Sequence, residues 1–583
     1  MLLLSPPEHG LSLLKVEAGL SAVAVVASII FPCLGWNLFE RVERSCSRLA
    51  RRKGPAVAVV GMCALLRLAI LPLYPAPLPF IPDDFSFLLA DDTFAHGRLA
   101  NPTPAMWTHL ETLHVTMQPT YASMYFPGDG LVLAAGQRVF HDPWLANVAL
   151  DALMCAGLCW MLQGWLPAAW ALLGGLLAVL RLGLFSYWIN TLFGASALPA
   201  ALGGALLLGS LPRLMRTARL RYGVWMAAGL ILMILTRPYE GMLLSLPVAV
   251  MLARWAWRGK RRPAAREFFK LAAIPTAMVL LALAWLGYYD YRAFGSATTL
   301  PYTVDRAQYA MVPYFLWQSP RTEPQYRYDT MRRYYEHEVP YYNRVHSLRG
   351  FIPATARKAA GVVVFFAAFA LLPPLVLVHR AFMDRRVRQL AVCASFAAVG
   401  ITMSVATYPL QLAPFTAAFY ALALQSMRHL RQWEWSGRPV GKTMVRLSIA
   451  ICVVMGALSI LAAPLHLKVP EWPGIGWVTA WQGTGHQGLE RARVNARLEH
   501  ESGLQLVLVR YSKDHNPLDE WVFNGADLDE SKVIWAREDS PAAMQELLQY
   551  YRSRRVWLVE PDAVPATVAP YPSVVKTPEN QSQ

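Results

Sequence analysis

The chain is short of charge. Of its 583 residues, 16% are Asp, Glu, Lys or Arg, against roughly 25% in an average soluble domain. It is also short of cysteine. Cys33, Cys46, Cys63, Cys155, Cys159, Cys393 and Cys452 all fall in apolar runs or basic connections, so no disulfide framework is implied. Internal repeats and low-complexity tracts are absent, which excludes a solenoid or a disordered linker protein. Acidic side chains are outnumbered, 38 against 54 basic, for a formal net charge of +16.

What is abundant is apolar sequence, 55% of the chain, gathered into long runs. Leu11 to Trp36 carries only Lys15 and Glu17, and Pro55 to Leu78 carries only Arg67. A bilayer core needs about 20 apolar residues as helix, and lipid tolerates only helices or closed barrels. These runs are too long and too uniformly apolar for barrel strands. Leu11 to Trp36 lacks a basic start and is followed by a basic block, so it is expected as a retained span, not a cleaved signal. Spans are expected over about 12–36, 55–77, 144–162, 165–182, 188–211, 222–238, 239–256, 268–290, 358–379, 389–408, 411–427 and 447–467, each about a bilayer thick.

The basic residues test this count. Arg41, Arg44, Arg48, Arg51, Arg52 and Lys53 fill one connection. Arg213 to Arg221, Arg258 to Arg266, Arg380 to Arg388 and Arg428 to Arg446 mark others. With about twelve spans they all fall on one side, which the positive-inside rule makes cytoplasmic. The net charge is thereby explained without nucleic acid. Arg67, inside a span, is expected to pair with an inward acid such as Asp151.

The expected organisation is an N-terminal extra span with its basic loop (1–54), a membrane domain (55–467) and a water-soluble tail (468–583). Outward loops cover about 78–143 and 291–357, the second too long to obey the charge rule. In the tail, Leu504 to Val509, Lys532 to Trp535 and Val556 to Val559 read as strands and Ala542 to Tyr551 as an amphipathic helix. Thr577 to Gln583 reads as a disordered end. The fold class is thus an all-α polytopic membrane protein with a small C-terminal α/β domain outside. Tyr511-Ser512-Lys513-Asp514-His515-Asn516 follows a strand, as ligand loops often do, yet the tail has no Gly-rich phosphate loop and no nucleophile constellation.

The sharpest motif is Pro82-Asp83-Asp84-Phe85-Ser86, an acidic pair just after the second span. Mutual repulsion and partial desolvation raise the pKa of one member, and a carboxylate so tuned suits general-base work. Taken alone, the pair fits a solvated loop or a helix start equally well. Phe85, Leu88, Leu89, Phe94 and Leu99, with Asp91, Asp92 and Arg98 between, suit a helix on the membrane surface. The chain returns through Met124-Tyr125-Phe126-Pro127-Gly128-Asp129-Gly130. His96, His109, His114 and His141 share this loop without tight metal spacing and read as surface residues. The loop 291–357 is rich in Tyr and Arg, types that stack on sugars and bind phosphate, or that form an interfacial belt.

In Pro82-Asp83-Asp84, in Ala90-Asp91-Asp92-Thr93-Phe94-Ala95-His96-Gly97-Arg98-Leu99 and in Leu235-Thr236-Arg237-Pro238, the chain resembles the GT-C glycosyltransferases. The nearest branch is the dolichyl-phosphate-mannose-protein mannosyltransferase-like group with its bacterial aminoarabinose-transferase relatives. The resemblance spans roughly 55–470. It implies an inverting hexosyl or pentosyl transferase of a bacterial inner membrane, its tail in the periplasm. The implied partners are a polyprenyl-phosphate sugar donor, the lipid bilayer and an envelope acceptor (glycolipid, polysaccharide or protein). Asp83 is implied as the base, with Asp84 supporting it or binding a divalent cation. No other cofactor or metal site is implied. Arg237, with Glu240, Tyr125, Asp91 and Asp92, is expected around the substrates. Where the relatives carry Glu-Lys-Pro, this chain has Tyr125-Phe126-Pro127, which leaves the phosphate ligand and the donor open. An O-antigen ligase or polymerase and a secondary transporter of about twelve spans are the competing readings.

Overall fold

The computed structural model describes residues 12–52, 54–259, 263–462, 465, 467, 479–481 and 488–572. The end of the last expected span and the expected disordered terminus from Thr577 lie outside these residues. Among the described residues, seven helices are long and apolar enough to cross a membrane: Leu13–Ile30, Pro143–Gln163, Ala168–Asn190, Leu192–Thr217, Ala265–Phe294, Leu348–Ala367 and Val440–Ile460. Shorter apolar helices, Pro55–Ala69, Leu220–Thr236 and Arg388–Met403, occupy further expected spans. Pro238–Arg258 and Thr416–Leu430 are helices where the remaining spans were expected. The first basic connection is not a loop. Residues Trp36–Ala50 form a helix with arginines on one face and Leu38, Val42 and Leu49 exposed on another.

Helix starts follow from local chemistry. Pro143 occupies the first turn of its helix, and Asp142 accepts a hydrogen bond from the Trp144 amide at 2.8 Å, satisfying an otherwise orphaned donor. Small residues let the helices touch. A Cβ on Gly203 would lie 2.7 Å from the Gly229 carbonyl oxygen, and one on Gly229 2.5 Å from that of Gly203. In lipid, such backbone approach supplies much of the packing energy.

The expected Arg67–Asp151 ion pair is not formed. Arg67 donates to the Tyr74 carbonyl (2.9 Å) and the Asn190 amide oxygen (3.2 Å) and lies over the Trp144 ring, while Asp151 accepts from the Cys63 thiol at 3.2 Å. Each group thus takes neutral partners, while Arg67 Nε and Asp151 Oδ1 are left buried without a hydrogen-bond partner among the described residues.

The strands β1 (Val115–Thr116) and β2 (Ala122–Ser123) form a short hairpin in the first loop segment, and in the tail β3 (Gln505–Val509), β4 (Val533–Arg537), β5 (Arg555–Glu560) and β6 (Thr567–Pro570) form a sheet in the order β4-β3-β5-β6. In this sheet the first pairs are parallel, with Leu506 opposite Ile534 and Val556, and β6 runs antiparallel to β5. The expected strands are present, and the helix falls at Pro541–Tyr550. A further helix, Leu489–His500, and the edge strand β6 had no clear sequence signal.

The domain docks on the first loop segment. Phe85, Leu89, Leu110, Val115 and Tyr121 share one buried cluster with Leu506, Leu508, Phe523, Ile534 and Leu547. In the helix that carries the acidic motif, Pro82–Ala95, the apolar Phe85 and Leu89 pack in this cluster. The helix is buried on most sides, and the C-terminal domain covers Phe85 and Leu89 and also reaches Asp92. Polar ties reinforce the contact. Arg98 grips Asp527 with both guanidinium ends (2.7 and 2.8 Å), and Asp92 accepts from the Ala526 amide at 2.6 Å.

Candidate active site

Pro82 opens the acidic helix after the extended residue Ile81. Asp84, at the third helical position, turns back. Its carboxylate accepts from the amides of Phe80 (3.0 Å), Ile81 (3.3 Å) and Phe193 (2.6 Å). It is fully buried, and burial pushes its pKa up to about 7, although these amides favour the charge. Both of its oxygens are committed to the backbone, which turns it away from any cation outside.

Asp83 points elsewhere. Its side chain keeps 29% exposure. Oδ1 accepts from the Tyr125 hydroxyl at 2.5 Å, and Oδ2 lies 3.3 Å from His114 Nδ1. Burial favours its neutral form, but His114 and Tyr125 outweigh this and hold the carboxyl below its usual range. The acidic pair is thus split by environment. The raised carboxyl is the inward Asp84, and the accessible Asp83 is ionised.

The pieces around Asp83 are fixed by the short hairpin of β1 (Val115–Thr116) and β2 (Ala122–Ser123). Ser86 Oγ donates to the His114 carbonyl (2.6 Å) and contacts Ser123 Oγ (2.7 Å), locking the hairpin to the acidic helix. Tyr125 stacks on Phe87 at 4.4 Å and meets Tyr302 edge-on at 5.5 Å. Tyr302 comes from the second loop segment, which folds as helices Pro301–Tyr309, Asp329–Glu336 and Glu338–His346. The loop segments are tied by Tyr309 to Glu111 (2.8 Å) and by Tyr328 to the Thr108 carbonyl (2.9 Å).

Arg237 stands between helices Leu220–Thr236 and Pro238–Arg258, where Pro238 forces the break. It donates to Ser196 Oγ at 2.9 Å, and its Nε has no hydrogen-bond partner among the described residues. Tyr302, Glu240, Asp129 and Tyr125 lie within electrostatic reach. The return helix Pro127–Phe140 starts against this corner. A Cβ on Gly128 would sit 2.5 Å from Thr236 Cγ2 and 2.7 Å from the Leu235 carbonyl oxygen. Burial pushes Asp129 up to about 7, with the Arg237 charge pulling the other way. A helix N-terminus beside a guanidinium favours an anion. Gly128→Ala is expected to lower stability by about 1–3 kcal/mol and to displace this corner, since overpacking against backbone cannot relax cheaply. Thermal unfolding of the variant checks it, and an unchanged midpoint would contradict the close approach.

The structure therefore brings Asp83, Tyr125, Arg237 and Glu240 together. It takes Asp92 to the C-terminal domain and leaves Asp91 buried, one oxygen without a hydrogen-bond partner and its pKa pushed up by burial to about 7. His109 and His114, read from sequence as surface residues, are buried because the second loop segment and the C-terminal domain cover them. His114, Tyr302, Tyr334 and Asp129 join the site without any spacing signal that could have marked them. Among the described residues, the group of close metal-type ligands is Cys63, Asp151 and Cys155, inside the helix bundle. A crevice of about 270 Å³ lies at the domain junction by Arg98, Tyr121 and Asp527, and Asp83 does not line it.

No family model and no curated protein matches the chain. Among solved structures it is similar to ArnT from Cupriavidus metallidurans in the apo state, at 13% identity over 87% of this chain and 93% of that one, with a TM-score of 0.49. The same protein bound to undecaprenyl phosphate aligns at 14% identity over 86% and 92%, with a TM-score of 0.48. The oligosaccharyltransferase AglB from Archaeoglobus fulgidus, in complex with an inhibitory peptide and a dolichol-phosphate, aligns at 9% identity over 87% and 69%, with a TM-score of 0.44.

Proposed function

We propose that this chain is a membrane glycosyltransferase of GT-C type that moves a sugar from a polyprenyl-phosphate carrier to a hydroxyl of an envelope acceptor. The observation that carries the reading is the ionised, partly open carboxylate of Asp83, with Arg237 and a helix N-terminus in the same neighbourhood of Tyr125 and Tyr302. Asp83 takes the proton of the acceptor hydroxyl as its oxygen attacks the anomeric carbon. The bond from that carbon to the phosphate oxygen breaks on the opposite face, inverting the centre. Polyprenyl phosphate departs as an anion, which Arg237 stabilises where its charge develops. Glu240 and Asp129 orient Arg237, and Tyr125 orients Asp83. Asp84 sets the direction of Asp83 through the backbone. The outer face of a bacterial inner membrane, with the C-terminal domain in the periplasm, is the location that the basic connections support.

A ligase or polymerase would draw on arginines of the second loop segment; Arg306, Arg332 and Arg333 are engaged in ion pairs with Glu338, Asp329 and Glu336, so that reading falls to the segment's other arginines.

The purified protein in lipid, given a polyprenyl-phosphate sugar and envelope lipids or glycans, is expected to release polyprenyl phosphate and form a glycoside of inverted configuration, read by NMR. Transfer with retention, or transfer from a nucleotide sugar alone, would contradict the proposal. Arg237→Gln is expected to lower kcat/KM for the lipid donor about 10- to 100-fold, matching the ~1.5–3 kcal/mol of a hydrogen bond to a charged group. An unchanged value would remove Arg237 from the phosphate site.

A further inference from the structure

We propose that His114 is a positioning residue for Asp83, one that fixes its carboxylate and couples it to the second loop segment through Tyr334. The inference rests on the reading of Asp83 as the base and adds to it the device that orients that base and keeps it ionised.

The backbone is the first observation. His114 has φ 62°, in the left-handed region that non-glycine residues seldom occupy. Such a conformation costs of order 1–2 kcal/mol and persists only where surroundings impose it. Here they do. The His114 carbonyl accepts from Ser86 Oγ at 2.6 Å and from the Met124 amide at 3.2 Å, and β1 begins at the next residue. The left-handed turn aims the ring inward from the start of the hairpin.

The ring is the second. His114 Nδ1 lies 3.3 Å from Asp83 Oδ2 and 3.1 Å from the Tyr125 hydroxyl, and Nε2 lies 2.8 Å from the Tyr334 hydroxyl. In the neutral ring with hydrogen on Nδ1, that N–H donates to the Tyr125 hydroxyl, which itself donates to Asp83 Oδ1, while the Tyr334 hydroxyl donates to Nε2. In the imidazolium both nitrogens donate, and the Tyr334 oxygen accepts. Each state is fully hydrogen-bonded, so the ring can carry charge without moving.

The surroundings decide which state prevails. Asp83 on the acidic helix, Tyr125 on the return segment, Asp305 and Glu338 on neighbouring helices and Tyr334 on its own helix face the ring. Arg306 is taken by Glu338. Burial disfavours the imidazolium, but Asp83, Asp305 and Glu338 overcome it and raise the His114 pKa. An imidazolium beside Asp83 keeps that carboxylate deprotonated to lower pH than an isolated Asp. Tyr334 belongs to the helix Asp329–Glu336, so the base is correctly held only when the loop segments are docked.

The test is the pH profile of kcat/KM for sugar transfer in full-length His114→Asn, Tyr334→Phe and Asp83→Asn. Asn tolerates the left-handed backbone, and its amide reaches the Nδ1 position but carries no charge. The acid limb of His114→Asn is expected to move up by about one pH unit or more. Its deficit against wild type then deepens as pH falls from the new midpoint to the wild-type midpoint, reaching about tenfold for a one-unit shift, and is constant below that. Tyr334→Phe is expected to shift the limb in the same direction by less. A His114→Asn profile parallel to the wild type, with Asp83→Asn inactive, would overturn the inference alone and leave His114 a packing residue. Should His114→Asn fail to fold, an unmoved acid limb in Tyr334→Phe would overturn it. Activity retained in Asp83→Asn would overturn the base itself, and the inference with it.

Discussion

Asp83→Asn is expected to lower sugar transfer by about 10²–10⁴-fold, the contribution of a positioned general base, with the thermal unfolding midpoint little changed. The amide has nearly the carboxylate's shape. Its oxygen can accept from Tyr125, and its nitrogen can donate to the tautomer of His114 with a free Nδ1. The capacity to take a proton is lost, together with the negative charge that His114 faces. Asp84→Asn is the informative contrast. Asp84 faces backbone donors on both oxygens, so an amide must turn its own donors toward N–H groups. The expected result there is a stability loss of about 1–3 kcal/mol from an unsatisfied buried donor, with activity falling in proportion to folded protein. Parallel assays of transfer and of unfolding separate the two carboxylates. Normal transfer by folded Asp83→Asn protein would end the general-base assignment.

Arg537→Ala is expected to destabilise the protein by roughly 3–5 kcal/mol, the effect of removing one member of a buried ion pair. Arg537, on β4, and its partner Glu520 have side chains only 2% and 1% exposed. The guanidinium also donates to the Glu111 carbonyl (2.8 Å) in the first loop segment and to Thr330 Oγ1 (2.9 Å) in the second, and it lies over the Tyr328 ring. One side chain thus ties the C-terminal domain to both loop segments. Without it, Glu520 is left charged and buried, and the docked face loses its centre. Thermal unfolding and limited proteolysis of the full chain check this. An unshifted midpoint with unchanged cleavage would show that the apolar cluster around Phe85 and Phe523 holds the domain alone.

The membrane part was legible because lipid imposes a simple rule on long apolar runs, and basic residues mark their ends. Helix Pro143–Gln163 matches the span expected over about 144–162, and β3, β4 and β5 follow short branched runs. What could not be read is tertiary. The helix after Pro82 has an amphipathic pattern suited to a surface, and nothing local says that the C-terminal domain, distant in the chain, packs on its Phe85 and Leu89. Arg67 and Asp151 looked complementary in sequence, but neutral acceptors and a thiol reach them first. In the site, the Asp83-Asp84 motif was visible, yet the direction of each carboxylate depends on Phe193, Tyr125 and His114, distant in the chain. His114 carried no signal at all, because its role depends on a left-handed turn and on Tyr334, 220 residues away.

The proposed function requires a lipid phosphate to arrive beside Asp83, between Arg237 and Tyr125. A polyprenyl phosphate carrying a photoreactive group next to its phosphate, irradiated with the full-length protein in bilayers and followed by peptide mapping, measures this directly. Adducts are expected on Tyr125, Tyr302 or the segment around Arg237, competed away by unlabelled polyprenyl phosphate. Adducts confined to other surfaces, insensitive to that competitor, would contradict it.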